Sequence, residues 1–305
     1  MKEFELIERY FQQESLSWLN AFTSLGIGDD CAIINIPQEQ ALCLSMDTLL
    51  EDVHFPKNAK PYDIATRALC VTLSDLAAMG AKPLGFTLAI RLPSFEAKWL
   101  EAFTQGLSFI AQKFHCPLIG GDTTKGPLLV ITIQVHGLTK KGKALKRSGA
   151  KAGDKVYVSG NLGDSAGALD IVLKEPRSTH VLAQRFNQPL PKIEFGQNLM
   201  TYASSCIDIS DGLVQDLNHI CKKSQVAMKI DRHKIPLSQN LLAHCSEQQA
   251  LKFALTGGDD YQLAYTANHC ENGIYIGEVM TALDSEDAKV SILGADFKQS
   301  GFQHF

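Results

Sequence analysis

Two kinds of apolar pattern alternate along the chain, and together they restrict it to a mixed fold. Short apolar runs at residues 42–46, 84–90, 128–135, 155–159, 206–209 and 274–276 read as strands. Between them, apolar side chains at helical spacing predict helices over 3–13, 62–79, 96–114, 164–173, 193–203 and 213–222, the second closed by Gly80. No segment repeats at a fixed period, so solenoids and propellers are excluded. The expectation is an α/β or α+β architecture.

A break is expected within residues 140–149, where a polar, basic, glycine-containing stretch separates one long strand from the next. It divides the chain into domains 1–142 and 143–305, and 305 residues suit two domains of roughly 100–200 residues each. Residues 175–191 contain three prolines and read as a loop inside the second domain.

With 29 basic against 33 acidic residues the formal charge is −4, so no global positive field attracts nucleic acid or an anionic membrane. No run approaches the ~20 apolar residues of a membrane span. The opening Met1-Lys2-Glu3-Phe4-Glu5 lacks a signal-peptide apolar stretch, and a cytoplasmic chain is expected. The eight cysteines are scattered, never as C-x-x-C, and are expected to be reduced core residues.

The chemistry lies in where the aspartates fall. They sit repeatedly beside glycine or at a strand end: Gly26-Ile27-Gly28-Asp29-Asp30, Ser45-Met46-Asp47, Ser74-Asp75, Gly120-Gly121-Asp122, Asp208-Ile209-Ser210-Asp211-Gly212 and Gly257-Gly258-Asp259-Asp260. Any one alone makes an ordinary turn or helix cap. Asp47 follows an apolar strand, however, and Asp75 is embedded in the apolar Leu73-Ser74-Asp75-Leu76-Ala77-Ala78. Convergent carboxylates about 6 Å apart repel by nearly 3 kcal/mol per pair at an effective dielectric near 20, which a divalent cation relieves. An all-oxygen set favours Mg²⁺ or Mn²⁺ over zinc, and Mg²⁺ completes its shell with water and phosphate oxygens. A polyphosphate substrate follows.

Two glycine segments are candidate phosphate loops. Residues 155–167 have the form strand, glycine turn, helix, but match neither G-x-G-x-x-G nor G-x-x-x-x-G-K-[ST], and a structural turn capped by Asp164 accounts for them equally well. Residues 120–126 combine two glycines, Asp122 and Lys125, and weigh towards function. Arg147 ends the basic stretch as a candidate phosphate contact, and His54, shortly after Asp47, as a candidate for a substrate phosphate. No G-x-S-x-G elbow supports serine hydrolase chemistry.

Taken in order, residues 26–30, 47–55, 74–81, 120–124, 147–150, 159–165 and 207–212 resemble the thiamine-monophosphate kinase family. Its superfamily includes aminoimidazole ribonucleotide synthetase, selenophosphate synthetase and a hydrogenase maturation protein. The resemblance implies a two-domain aminoimidazole ribonucleotide synthetase-like fold. An N-terminal mixed-sheet domain would bind ATP and metal and pair in a homodimer; a C-terminal α/β domain would complete the site. The implied reaction transfers the γ-phosphoryl of ATP to thiamine monophosphate, giving thiamine diphosphate.

Carried over by motif, Asp30, Ser45, Asp47, Asp75, Asp122, Asp208 and Asp211 would ligate several Mg²⁺ ions, with Asp30, Asp75 and Asp208 at the reacting phosphates. Gly121, Asp122, Arg147 and Ser210 would contact ATP, and His54, Asp259 and Phe302 the thiamine substrate. This chain has Asp259 where the family usually has Glu, a carboxylate one methylene shorter. Two rival readings are another ATP-dependent synthetase of the superfamily and a non-catalytic nucleotide-binding protein.

Overall fold

The structure is a computed structural model, and it describes residues 3–269 and 272–294. The chain forms two compact units. The first comprises Met1–Leu76, Ala81–Gly142 and Val172–Ser178, and the second Ala77–Gly80, Lys143–Ile171 and Thr179–Phe305.

The first unit begins with a short helix, α1 (Glu3–Leu6), which widens into π-helical turns over Ile7–Phe11, so the regular helix expected to residue 13 is not formed. A small ribbon of β1 (Thr23–Leu25) and β2 (Ile33–Ile34) follows. The main sheet is built from β3 (Gln40–Leu50), β4 (Lys82–Leu92), β5 (Leu118–Lys125) and β6 (Val130–Lys140), in the order β3-β6-β4-β5. β4 and β5 run parallel, as the crossover through α3 (Ala97–Lys113) requires, while β6 is antiparallel to both of its neighbours.

Alternation along these strands separates two faces. Phe86, Leu88, Ile90, Ile131, Ile133 and Val135 are almost fully buried on one of them, and α2 (Pro61–Ala78) seats Leu76 over Gly137 on that face. On the opposite face Leu44 and Met46 of β3 remain 54% and 61% exposed.

The second unit holds a six-stranded sheet of β7 (Lys155–Val158), β8 (Ser205–Asp208), β9 (Val226–Asp231), β10 (Leu263–Ala267), β11 (Ile274–Thr281) and β12 (Val290–Leu293). Their order is β12-β9-β11-β7-β10-β8, and the pairs are antiparallel apart from β12 beside β9. Helices α4 (Asp164–Lys174), α5 (Val181–Asn187), α6 (Ile193–Leu199), α7 (Leu213–Ser224), α8 (Gln239–His244) and α9 (Glu247–Thr256), with a single 3-10 turn at Arg232–Lys234, accompany the sheet, and α4 crosses the unit boundary at Val172. The amphipathic α7 buries Leu213, Leu217 and Ile220 in a core shared with Val156, Val158, Ile207 and Ile230.

Three sequence expectations need correction. Residues 175–191 are not all loop: the prolines at 176, 189 and 191 flank α5 rather than interrupt it, and His180 caps it by accepting the Leu182 N–H at 3.3 Å. Residues 120–125 are not a loop but most of edge strand β5. Helix α6 stops at Leu199, short of residue 203. Of the described cysteines, Cys116, Cys206 and Cys221 are buried and free and Cys70 is buried, whereas Cys31 is exposed. Among the described residues no helix is long and apolar enough to cross a membrane.

Candidate active site

In the first unit the alternation of β3 puts Ser45 and Asp47 on the helix-covered face, where α2 brings Asp75 to them. Ser45 Oγ donates to Asp75 Oδ2 at 2.5 Å. Burial first, and then the neighbouring charge of Asp75, push the pKa of Asp47 up from 3.8 to about 6, against a hydrogen bond from Thr72. Thr72 lies one helical turn before Asp75, so one stripe of α2 serves both carboxylates. Three residues expected to ligate metal thus stand together, with Thr72 as a partner that the sequence reading did not single out.

The other expected ligands of this unit lie elsewhere. Asp30 is exposed between β1 and β2, its own N–H donating to Asp29 Oδ1 at 2.9 Å. Asp122 is exposed on β5, at the opposite edge of the sheet from Asp47. In register Asp122 pairs with Ala89, and through β4 and β6 it shares a face with Thr48 rather than with Asp47. Three strand spacings of about 4.8 Å put the two backbones ~14 Å apart. Gly121 has a packing reason for being glycine: a Cβ there would stand 2.0 Å from the Leu88 carbonyl oxygen of β4. The close approach allowed by that glycine is therefore to a neighbouring strand.

His54 sits in the turn after β3. Its Nδ1 accepts the Leu50 N–H at 3.1 Å, which fixes the tautomer with the proton on Nε2, and Arg67 Nε donates to its carbonyl at 3.0 Å.

In the second unit Asp208 ends β8, 5% exposed, and the chain turns through Ser210, Asp211 and Gly212 into α7. Asp216, in the first turn of α7, holds this turn: its Oδ2 accepts the N–H groups of Ser210, Asp211 and Gly212, each at 3.1 Å. The Ser210 amide is therefore engaged, and the hydroxyl is the group Ser210 has to offer a ligand. Burial and the charge of Asp211 push the pKa of Asp216 up to about 7, opposed by the three N–H donors. His219, one turn further on, is held below its usual pKa by burial and by the Arg147 guanidinium, while Asp211 acts the other way. Arg147 and Asp211 thus act on a common position. One ligand atom each from Asp211, Asp216 and His219 lies within 4.8 Å of the others, a spacing that a cation can bridge.

Asp216 and His219 went unread in the sequence; the available signal was an Asp four residues after a glycine that starts a helix. Asp216→Ala leaves three N–H groups without their acceptor and is expected to cost about 2–4 kcal/mol in urea denaturation. An unchanged midpoint would remove Asp216 from this role.

The turn of residues 257–262 lies against Ile209 and Ser210. Asp259 N–H donates to the Ser210 carbonyl and Tyr261 N–H to the Ile209 carbonyl, both at 2.8 Å. The Asp259 carboxylate accepts Tyr261 Oη at 3.0 Å. Asp260 is buried, and its carboxylate takes the Gly163 N–H at 2.9 Å. That bond makes the glycine turn of residues 160–163 a structural joint. Asp164 begins α4 and accepts Ser238 Oγ at 2.6 Å. Phe302 lies outside the described residues.

Comparison with known proteins adds to this geometry. Residues 28–139 match the family model of the AIR synthase related protein, N-terminal domain. The chain is 43% identical over 321 residues to a thiamine-monophosphate kinase of Salmonella typhimurium, covering 99% of this chain and 98% of that protein. Against the Escherichia coli thiamine-monophosphate kinase, identity is 46% over 276 residues, 89% of this chain and 84% of the relative. Among solved structures, the thiamine-monophosphate kinase of Stenotrophomonas maltophilia superposes with a TM-score of 0.84 at 36% identity, over 90% of this chain and 92% of that one. AaThiL complexed with AMPPCP and TMP gives a TM-score of 0.82 at 31% identity, over 88% and 89% of the two chains. Identity at this level over nearly the whole length places the chain in the thiamine-monophosphate kinase family.

Proposed function

We propose that the chain transfers the γ-phosphoryl of ATP directly to the phosphate of thiamine monophosphate, giving thiamine diphosphate and ADP. On this reading it acts as a Mg²⁺-dependent homodimer in the cytoplasm and catalyses the last step in making thiamine diphosphate. The observation that carries the metal requirement is the pair Asp47 and Asp75. Two carboxylates are held on one face with Ser45 and Thr72, and Asp47 is driven to about 6 by burial and its neighbour. An all-oxygen, self-repelling set fits Mg²⁺. When bound, the ions neutralise and align the phosphates, most of what phosphoryl transfer needs. Asp30, Ser45, Asp47, Asp75, Asp122, Asp208 and Asp211 are the residues to hold them. Arg147, Gly121, Asp122 and Ser210 are the residues to contact ATP, and His54 and Asp259 the acceptor. The acceptor phosphate, with a second pKa of about 6, is already largely ionised at neutral pH, so no side chain has to remove a proton from it.

Two features of the first unit support the dimer. Leu44 and Met46 stand exposed on an open sheet face, and Asp47 and Asp122 lie at opposite edges of that sheet. Asp122 of the same chain lies at the far edge and on the other face from Asp47, so in the proposed dimer the partner subunit completes the Asp47 site with its own copy of this aspartate, approaching from the β3 edge, with ATP between them. The buried free thiols of Cys116, Cys206 and Cys221 suit a reducing compartment.

Mixing two inactive variants, Asp47→Asn and Asp122→Asn, tests the composite site. Random exchange makes half the dimers mixed, each with one intact site, so roughly a quarter of wild-type activity is expected to return. No recovery on mixing would contradict a site shared between subunits.

Asp259 provides a second check. If the shorter side chain weakens the acceptor contact, Asp259→Glu lowers the KM for thiamine monophosphate several-fold with the ATP KM unchanged. An unaltered acceptor KM would show that reach at this position does not matter.

A further inference from the structure

The turn between α9 and β10 is strained. Asp259 has φ 59° and Tyr261 φ 48°, left-handed conformations on either side of the buried Asp260. For a bulky side chain such as Tyr this is an outlier, costing of order 1–3 kcal/mol, and it persists only where the surroundings over-determine it. The ties on Asp259 and Tyr261 come from the Asp208–Gly212 turn, and that on the Asp260 carboxylate from Gly163. A further tie comes from a separate element: Arg185 of α5 extends Nη2 to the Asp260 carbonyl. Its guanidinium is near enough to restrain the upward pKa shifts of both Asp164 and Asp260. Burial first, and then this guanidinium, push down the pKa of the half-buried Lys192, a second cation beside it. A partly buried guanidinium spending a donor on the main-chain carbonyl of Asp260, a residue flanked by two left-handed side chains, is placed to set that peptide's orientation.

We infer that Arg185 is a positioning residue for the acceptor end of the reaction: it holds the Asp259–Tyr261 turn in its strained form and so fixes where the Asp259 carboxylate stands. The inference rests on the reading of Asp259 as an acceptor contact. Arg185 itself touches the turn and not the reacting atoms. Lysine keeps the charge but not the planar fork, so it replaces arginine only in part here.

The test is steady-state kinetics on the full chain for wild type, Arg185→Lys, Arg185→Met, Asp259→Ala and the double variant Arg185→Met/Asp259→Ala. The expected result is an acceptor KM raised about tenfold in Arg185→Met and less in Arg185→Lys, with the ATP KM within about twofold of wild type. Because Arg185 acts through Asp259, the double variant is expected to be no worse than the worse single variant. An acceptor KM unchanged by Arg185→Met, or losses that multiply in the double variant, would overturn the inference. If Arg185→Met does not fold, Arg185→Lys combined with Asp259→Ala supplies the same cycle. A wild-type chain that forms no ADP with thiamine monophosphate tells against the kinase reading itself; an active wild type with an indifferent Arg185 tells against Arg185 alone.

Discussion

Replacing Asp75 with asparagine is expected to lower kcat about a thousandfold or more while leaving a folded chain. Asp75 accepts Ser45 Oγ and lies within electrostatic reach of Asp47, so it joins the side chains of β3 to those of α2. Asparagine keeps the shape and an acceptor oxygen for Ser45 but removes the charge that a divalent ion needs. Taking one strong electrostatic contact from a transition state typically costs 10²–10³-fold, and a carboxylate that would hold a metal at the reacting phosphates stands at the upper end of that range. Asp208→Asn is expected to behave alike, because Asp208 is buried at the end of β8 and offers a fixed carboxylate. Turnover is read from ADP release and folding from circular dichroism and thermal melting. Near-normal turnover in either variant would remove that residue from the metal site.

The second large effect is a reversal of pH dependence by magnesium. Folding raises the pKa of Asp47 from 3.8 to about 6, so the folded chain binds a proton more readily than the unfolded one. Between those values the stability of the metal-free chain falls as pH rises, by about 3 kcal/mol in total for this group before any allowance for solvent screening. Asp216, raised to about 7, acts in the same direction. Metal binding needs the ionised carboxylate, so the apparent Mg²⁺ affinity runs the other way and weakens about tenfold for each pH unit well below 6. Melting temperatures with and without Mg²⁺ at pH 5 and pH 8 read both effects: a large Mg²⁺-dependent rise at pH 8 and a small one at pH 5. Asp47→Asn is expected to raise the metal-free melting temperature at pH 8 by a few degrees and to lose much of the Mg²⁺ response, a gain in stability at the expense of function. A Mg²⁺ response independent of pH, and the same in Asp47→Asn, would show that Asp47 is not a ligand.

The elements that the sequence announced are those whose buried faces recur with a clean period. The strand expected at residues 42–46 became β3, and the helix at 62–79 became α2 within one residue at each end. Elements without such a face went unread. β5 carries Gly120-Gly121-Asp122-Thr123-Thr124-Lys125, polar and glycine-rich because it is a sheet edge with one flank unpaired in the chain, and by composition it looks like a loop. α5 is only seven residues long and bracketed by prolines, too short to show a period.

The site divides in the same way. The candidate carboxylates stand out in the sequence because Asp beside Gly, at a strand end or inside an apolar run is a local pattern. Their supports do so less: Thr72 and Arg185 reach Asp47 and Asp260 across the fold, which no spacing encodes, while Asp216 and Tyr261 act within local turns whose geometry the sequence marks only weakly. The separation of Asp47 from Asp122 was likewise invisible, since only strand order and register place them at opposite edges and on opposite faces.

The central claim is the transfer itself, and the direct measurement is to incubate the purified chain with Mg²⁺, ATP and thiamine monophosphate, with free thiamine as a parallel acceptor, and to follow the products chromatographically. Equal amounts of ADP and thiamine diphosphate, formed only with the monophosphate and only with Mg²⁺, are the predicted result. ADP without thiamine diphosphate would contradict it and point to one of the sister synthetases, and neither product from a folded, ATP-binding chain would leave a nucleotide-binding protein without this activity.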